Sequence, residues 1–123
     1  MKKALVVVLL WNFLMELLAG LSLIGGPGGI ANAGAGEMWS MHYGFAALSI
    51  ASVSVWCWLQ RAHGPALSVA LGTLMVFHSG LFVSLLLAGD QMGGMVMHGL
   101  LAVACIGLFF NRGKLISPAG QSQ

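Results

Sequence analysis

The segment Ala4–Ile24, ALVVVLLWNFLMELLAGLSLI, decides the fold, because it is apolar over the whole length that a membrane-spanning helix needs. An α-helix rises about 1.5 Å per residue, so roughly 20 apolar residues cross the ~30 Å hydrocarbon core of a bilayer. The beginning of the chain also resembles a secretory signal peptide with a small-residue site at Ala31-Asn32-Ala33. We favour a spanning helix, since a signal core has only about 7–15 apolar residues and seldom contains groups such as Asn12 and Glu16.

Three more apolar segments of similar length follow this one. The sequence predicts helices over residues 4–24, 38–59, 66–88 and 93–110, separated by connections rich in glycine, proline and polar residues. Short connections make consecutive helices antiparallel neighbours. We therefore predict an all-α fold, an integral membrane four-helix bundle with up-and-down topology. It forms a single domain over residues 1–123, with a mobile tail over residues 115–123.

The composition excludes a soluble globular protein. Hydrophobic residues make up 59% of the chain and charged residues only 7%, whereas a soluble domain carries about 25% charged residues. The sequence contains no phosphate-binding loop, no dinucleotide-binding glycine motif and no nucleophile beside a base. We accordingly expect a protein that embeds in the lipid bilayer and is not an enzyme by itself.

The basic residues predict the orientation. With four spans, all five of the chain's lysines and arginines fall on the same side of the membrane: Lys2, Lys3, Arg61, Arg112 and Lys114. Loops rich in these residues stay in the cytoplasm, so both termini are predicted to be cytoplasmic in a bacterial-type inner (plasma) membrane. Topology accounts for these cations, and we expect no nucleic-acid partner. Glu37 and Asp90 then lie at the outer face.

Two stretches of the chain echo each other. Met38-Trp39-Ser40-Met41-His42 and Met92-Gly93-Gly94-Met95-Val96-Met97-His98 both place a Met-His pair at the start of an apolar run, just after an acidic residue. The first two helices could therefore correspond to the last two. A parallel internal repeat of this kind occurs in some transporters.

Each predicted helix carries one ionisable residue that faces a high cost of burial in the membrane: Glu16, His42, His78 and His98. Glu16 and His78 lie about 12 residues from the cytoplasmic ends of their helices, near the middle of the membrane. His42 and His98 lie about one turn below the outer surface. We expect two tiers, with Glu16 paired to Asn12, one turn away on the same face, and to His78, and with His42 level with His98.

Two imidazoles at equal depth on parallel helices suit the axial ligands of a haem or a metal site. The sequence thus predicts His42 and His98 as ligands of haem b, with Glu16 and His78 as a polar pair that helps to hold the cofactor. Ala46 and Ser49 follow His42 at helical spacing, and Ala102 and Cys105 follow His98 in the same way. Small residues on these two faces permit close packing of helices or leave room for a cofactor.

A copper site is the alternative prediction. Five of the eight methionines lie near the predicted outer surface, and thioethers together with imidazoles favour copper(I). Met38 and His42 share a helix face at a spacing of four residues, and Met95 and His98 share one at a spacing of three. These four residues form the predicted copper(I) quartet.

Three functions follow from these patterns. The first is a redox or cofactor-binding membrane subunit, the second a transporter or metal-handling protein for copper(I) or another small solute, and the third a structural or assembly subunit of a larger complex. So small a chain is expected to act as a homo-oligomer or as a subunit of a larger membrane complex. Cys57 and Cys105 are predicted at different depths and should not form a disulfide.

Overall fold

The computed structural model of the protein describes residues 1–26, 38–89 and 91–116, and within these ranges it contains four α-helices and no strand. These are α1 (Lys2–Gly25), α2 (Met38–Leu59), α3 (Gly64–Ala88) and α4 (Met92–Phe110), followed by a 3-10 turn over Arg112–Lys114. All four are long and apolar enough to cross a membrane. The predicted all-α fold with four spans is confirmed, and it points to a multi-pass membrane protein in contact with the lipid bilayer.

Several predictions fall on parts of the chain outside the described residues. These are the small-residue site at 31–33, the two acidic residues Glu37 and Asp90, and the tail beyond residue 116. The side chain of Met38 is likewise outside the description, although its backbone begins α2.

The ends of α3 show how local sequence sets the helix boundaries. Pro65 lies in the first turn, where its missing N–H costs no helical hydrogen bond. After Ala88 the chain turns at Gly89, whose φ of 74° is left-handed and whose N–H donates to the Leu85 carbonyl at 3.0 Å. Glycine adopts this conformation without steric cost. The helix therefore stops there, and the short connection makes α3 and α4 antiparallel neighbours.

The chain divides into two compact units. The first contains Met1–Val8 and Trp56–Gln123, and so holds all of α3 and α4. The second contains Leu9–Val55, which is most of α1 and α2. The single domain expected over residues 1–123 stays a prediction.

In the first unit, α3 and α4 pack together along a leucine-rich seam. Fully buried side chains recur every three or four residues on both helices: Leu67, Leu71, Leu74 and His78 on α3, and Leu101 and Cys105 on α4. This spacing keeps one face of each helix turned to its partner. Cys57 and Cys105 are both buried free thiols.

In the second unit, two glycines let α1 and α2 approach closely. A Cβ atom on Gly20 would lie 2.9 Å from the Gly44 carbonyl oxygen, and one on Gly44 would lie 3.0 Å from the Gly20 carbonyl oxygen. Farther along, the Asn12 amide on α1 donates to Ser54 Oγ at 2.8 Å and to the Ile50 carbonyl at 3.2 Å on α2. Small residues and interhelical hydrogen bonds are the usual means by which membrane helices associate.

All five basic residues belong to the first unit, and contacts gather them at one end of it. The start of α1 and the turn after α2 line a common pocket with residues that follow α4. The Arg112 side chain donates through Nε to Ser68 Oγ at 2.8 Å, near the start of α3. The predicted segregation of cations to one end is therefore observed, whereas the side of the membrane that they face stays a prediction.

Candidate metal site

The hairpin formed by α3 and α4 brings two histidines together in the core of the first unit. His78 of α3 is fully buried and His98 of α4 is 7% exposed. Their Nδ1 atoms lie 2.9 Å apart, which is hydrogen-bond distance. Neither sequence-based pairing joined these two residues. His78 and His98 therefore lie at the same depth, whereas the sequence-based prediction places them in two different tiers.

The hydrogen bond fixes complementary tautomers on the two rings. One Nδ1 carries a proton and donates it to the other Nδ1, which must be unprotonated to accept. In the neutral pair, the donor ring then has a lone pair on Nε2 and the acceptor ring has an N–H there. The two rings therefore present different groups at Nε2, a lone pair on one and an N–H on the other. A proton can move between the rings along the Nδ1–Nδ1 hydrogen bond.

An aromatic side chain encloses the pair on one side. The Phe77 ring contacts His78 edge-on at a centroid distance of 5.2 Å and His98 at 6.2 Å. The two imidazole rings are 5.2 Å apart and inclined by 30°. This apolar enclosure keeps water from the two Nδ1 atoms and strengthens any polar or metal-ligand interaction that they make.

The two Nδ1 atoms converge as metal ligands do. Metal–imidazole bonds are about 2.0–2.1 Å long, so two ligating nitrogens lie roughly 2.9 Å apart at a right angle and roughly 3.3 Å apart at a tetrahedral angle. The observed separation is 2.9 Å. An ion could thus take the place of the shared proton with a movement of a few tenths of an ångström. The donor ring would then carry its proton on Nε2, so that both ligands are neutral imidazoles.

Two of the other residues predicted from sequence, Glu16 and His42, belong to the second unit. Glu16 is 1% exposed, whereas the side chain of His42 is exposed. The predicted pairs Glu16–His78 and His42–His98 each join residues of different units, and both stay predictions. The same is true of the copper quartet, which needs Met38 and His42 beside Met95 and His98.

The two helix faces that the sequence predicted to pack differ in burial between α2 and α4. On α4 the face headed by His98 is buried, with Ala102 6% and Cys105 0% exposed. On α2 the face headed by His42, with Ala46 and Ser49, is exposed, so a role of this face in helix packing or cofactor binding stays a prediction. The buried side of α2 carries other small residues: Gly44, Ala47, Ala51 and Ser54.

Comparison of the chain with protein families, with curated proteins and with solved structures finds no match. The function must therefore be argued from the chain's own residues.

Proposed function

We propose that this membrane protein binds a transition-metal ion between α3 and α4, with His78 and His98 as its ligands. One observation carries the proposal: two imidazole nitrogens on separate helices converge to 2.9 Å inside a buried, aromatic-lined core. Polar side chains are costly at such a place in a membrane, and they commonly mark ion or proton pathways.

The ligand chemistry favours copper or zinc. Imidazole suits both metals, whereas magnesium and calcium prefer oxygen ligands. Met95 precedes His98 by three residues on α4, and helical spacing puts it on the same face. A thioether beside two imidazoles would shift the preference towards copper(I). Two protein ligands leave positions open, which another residue of the chain, a second copy or a partner subunit would fill.

Metal content measures this directly. The protein, purified in mild detergent and dialysed against copper or zinc, should retain about one ion per site by mass spectrometry of the metal. His78→Gln and His98→Gln should each lose most of it. His63→Gln is the matched control, since His63 is an exposed histidine in the turn after α2. Equal retention in all three variants would exclude the histidine pair as the site.

A purely structural role is the main competing function. The hydrogen bond between His78 and His98 joins α3 to α4, and such bonds stabilise membrane helix pairs by about 0.6–2 kcal/mol. Under that role, the glutamine variants change stability or assembly and the wild-type protein retains no ion. Cobalt(II) gives an independent readout, because nitrogen ligands in a tetrahedral site produce strong visible absorption that water does not.

The haem function predicts a different set of sensitive residues. If His42 and His98 held haem b, His42→Ala and His98→Ala would each abolish a Soret band and Met38→Leu would leave it. In the metal proposal, His42→Ala keeps its copper or zinc. An oxidised-minus-reduced spectrum of protein made with a haem precursor separates the two, together with the metal content of the same sample.

A further inference from the structure

The first unit contains a basic pocket at the end opposite to the α3–α4 connection. It encloses about 330 Å³, a volume within the range of small-ligand sites. Three cations surround it: Lys2 and Lys3 from the start of α1 and Arg61 from the turn after α2. Among the described residues that line it, none is acidic. The pocket is therefore suited to an anion.

The rest of the lining is apolar. Leu5 and Leu115 are 3% and 5% exposed, and Val6 and Ile116 lie beside them. A small, strongly hydrated anion gains nothing from such a surface. A ligand that joins a negative group to hydrocarbon would use both halves of the pocket.

Trp58 and Arg61 contact each other at the rim of the basic pocket. The Arg61 guanidinium carbon lies 4.1 Å from the centre of a Trp58 ring, and its NH1 donates to the Trp58 carbonyl at 2.7 Å. Stacking fixes the cation in place and leaves other N–H groups for an anion. Tryptophan also favours the level of lipid headgroups at a membrane interface.

From these features we propose that the basic pocket binds the headgroup of an anionic phospholipid. The phosphate would contact Lys2, Lys3 and Arg61, and the first acyl carbons would lie against Leu5 and Val6. Basic pockets between spanning helices are suited to such headgroups, and the cytoplasmic leaflet is rich in anionic lipids. This proposal is independent of the histidine pair, which lies within the α3–α4 hairpin.

Native mass spectrometry of the detergent-solubilised protein tests the proposal, using phosphatidylglycerol and phosphatidylcholine as probes. Phosphatidylglycerol should bind at least tenfold more tightly. Arg61→Gln should weaken that binding about fivefold, and Lys2→Gln with Lys3→Gln should weaken it further. Lys114→Gln is the matched control, because it removes one charge after α4 from a residue outside the pocket lining. Arg61→Lys should retain most of the affinity.

Three results would overturn the proposal. Equal affinity for the two lipids would remove the role of the anionic headgroup. An equal effect of Lys114→Gln and Arg61→Gln would mean that the lipid responds to the overall positive charge of this end and not to the pocket. Glycerol phosphate, if it competed at the same concentration as phosphatidylglycerol, would identify a soluble phosphate ester as the ligand. Circular dichroism of each variant separates these results from a failure to fold.

Discussion

His78 on α3 and His98 on α4 share one proton between Nδ1 atoms 2.9 Å apart, and both side chains are buried. The same contact serves as a helix-to-helix hydrogen bond and as the beginning of a metal site. Stability and metal binding measured on the same variants separate the two roles.

The two histidines should be coupled in stability. His98→Leu removes the hydrogen-bond partner at His78 Nδ1 and should lower the free energy of unfolding by about 1–3 kcal/mol. The double variant His78→Leu/His98→Leu should cost less than the sum of the single variants, since it removes both polar groups. Denaturant unfolding in detergent micelles gives the four values of the cycle. Strict additivity would mean that the contact contributes nothing.

Copper(I) selectivity should depend on Met95. If its thioether is a third ligand beside His98, Met95→Leu should weaken copper(I) binding about tenfold and leave zinc binding within about twofold. Met97→Leu is the control, because Met97 points about 100° away from His98 on the helix. Competition with a copper(I) chelator measures both affinities. Identical values for the two leucine variants would assign Met95 to packing alone.

The sequence-based prediction does not pair His98 with His78, because it measures the depth of His98 from the other end of the helices. Counted from the end at the α3–α4 connection, His98 lies six residues into α4 and His78 lies ten residues from the end of α3, so they fall about 6 Å apart. Counted from the cation-bearing end, His78 is 14 residues into α3 and His98 is 12 residues from the end of α4. These depths differ by only about 3 Å. Measuring depth from the cations would have found the pair.

The fold could be predicted because four long apolar runs separated by breakers allow few other structures in a membrane. The sides on which the helices contact one another could not be predicted. All four helices are apolar around most of their circumference, so hydrophobicity does not mark a buried side. On α2, small residues occur on both sides, and the side with Ala46 and Ser49 is exposed whereas that with Gly44 and Ala47 is buried.

The approach of α1 and α2 should not tolerate a methyl group at Gly20. Its Cβ would lie 2.8 Å from Leu48 Cδ2 and 2.9 Å from the Gly44 carbonyl oxygen, and the second atom is backbone. Gly20→Ala should therefore force the helices apart and cost about 1–3 kcal/mol. Gly107→Ala is the control, since nothing lies within 4 Å of a Cβ there. That substitution should be neutral or slightly stabilising in the helix, and the opposite order of stabilities would contradict the close approach.

Asn12 and Ser54 should also be coupled across α1 and α2. The Asn12 amide donates to Ser54 Oγ at 2.8 Å, and both side chains are buried. A double-mutant cycle with Asn12→Ala and Ser54→Ala should give a coupling of about 0.6–1.7 kcal/mol, the range found for hydrogen bonds between membrane helices. The Ser49→Ala variant is a control, because the Ser49 hydroxyl donates within its own helix to the Phe45 carbonyl. A coupling near zero would show that the bond between Asn12 and Ser54 does not hold the two helices together.

The basic end of the first unit should face the cytoplasm. All five lysines and arginines gather there, and the positive-inside rule places such ends in the cytoplasm. Green fluorescent protein fused after Gln123 should fluoresce in bacterial cells, and alkaline phosphatase fused there should be inactive. Alkaline phosphatase inserted after Glu37 should be active, because that position follows one span. Adding lysines beside Glu37 should reduce this activity if charge sets the orientation, whereas phosphatase activity at Gln123 in the wild type would reverse the topology and place the basic pocket at the outer leaflet.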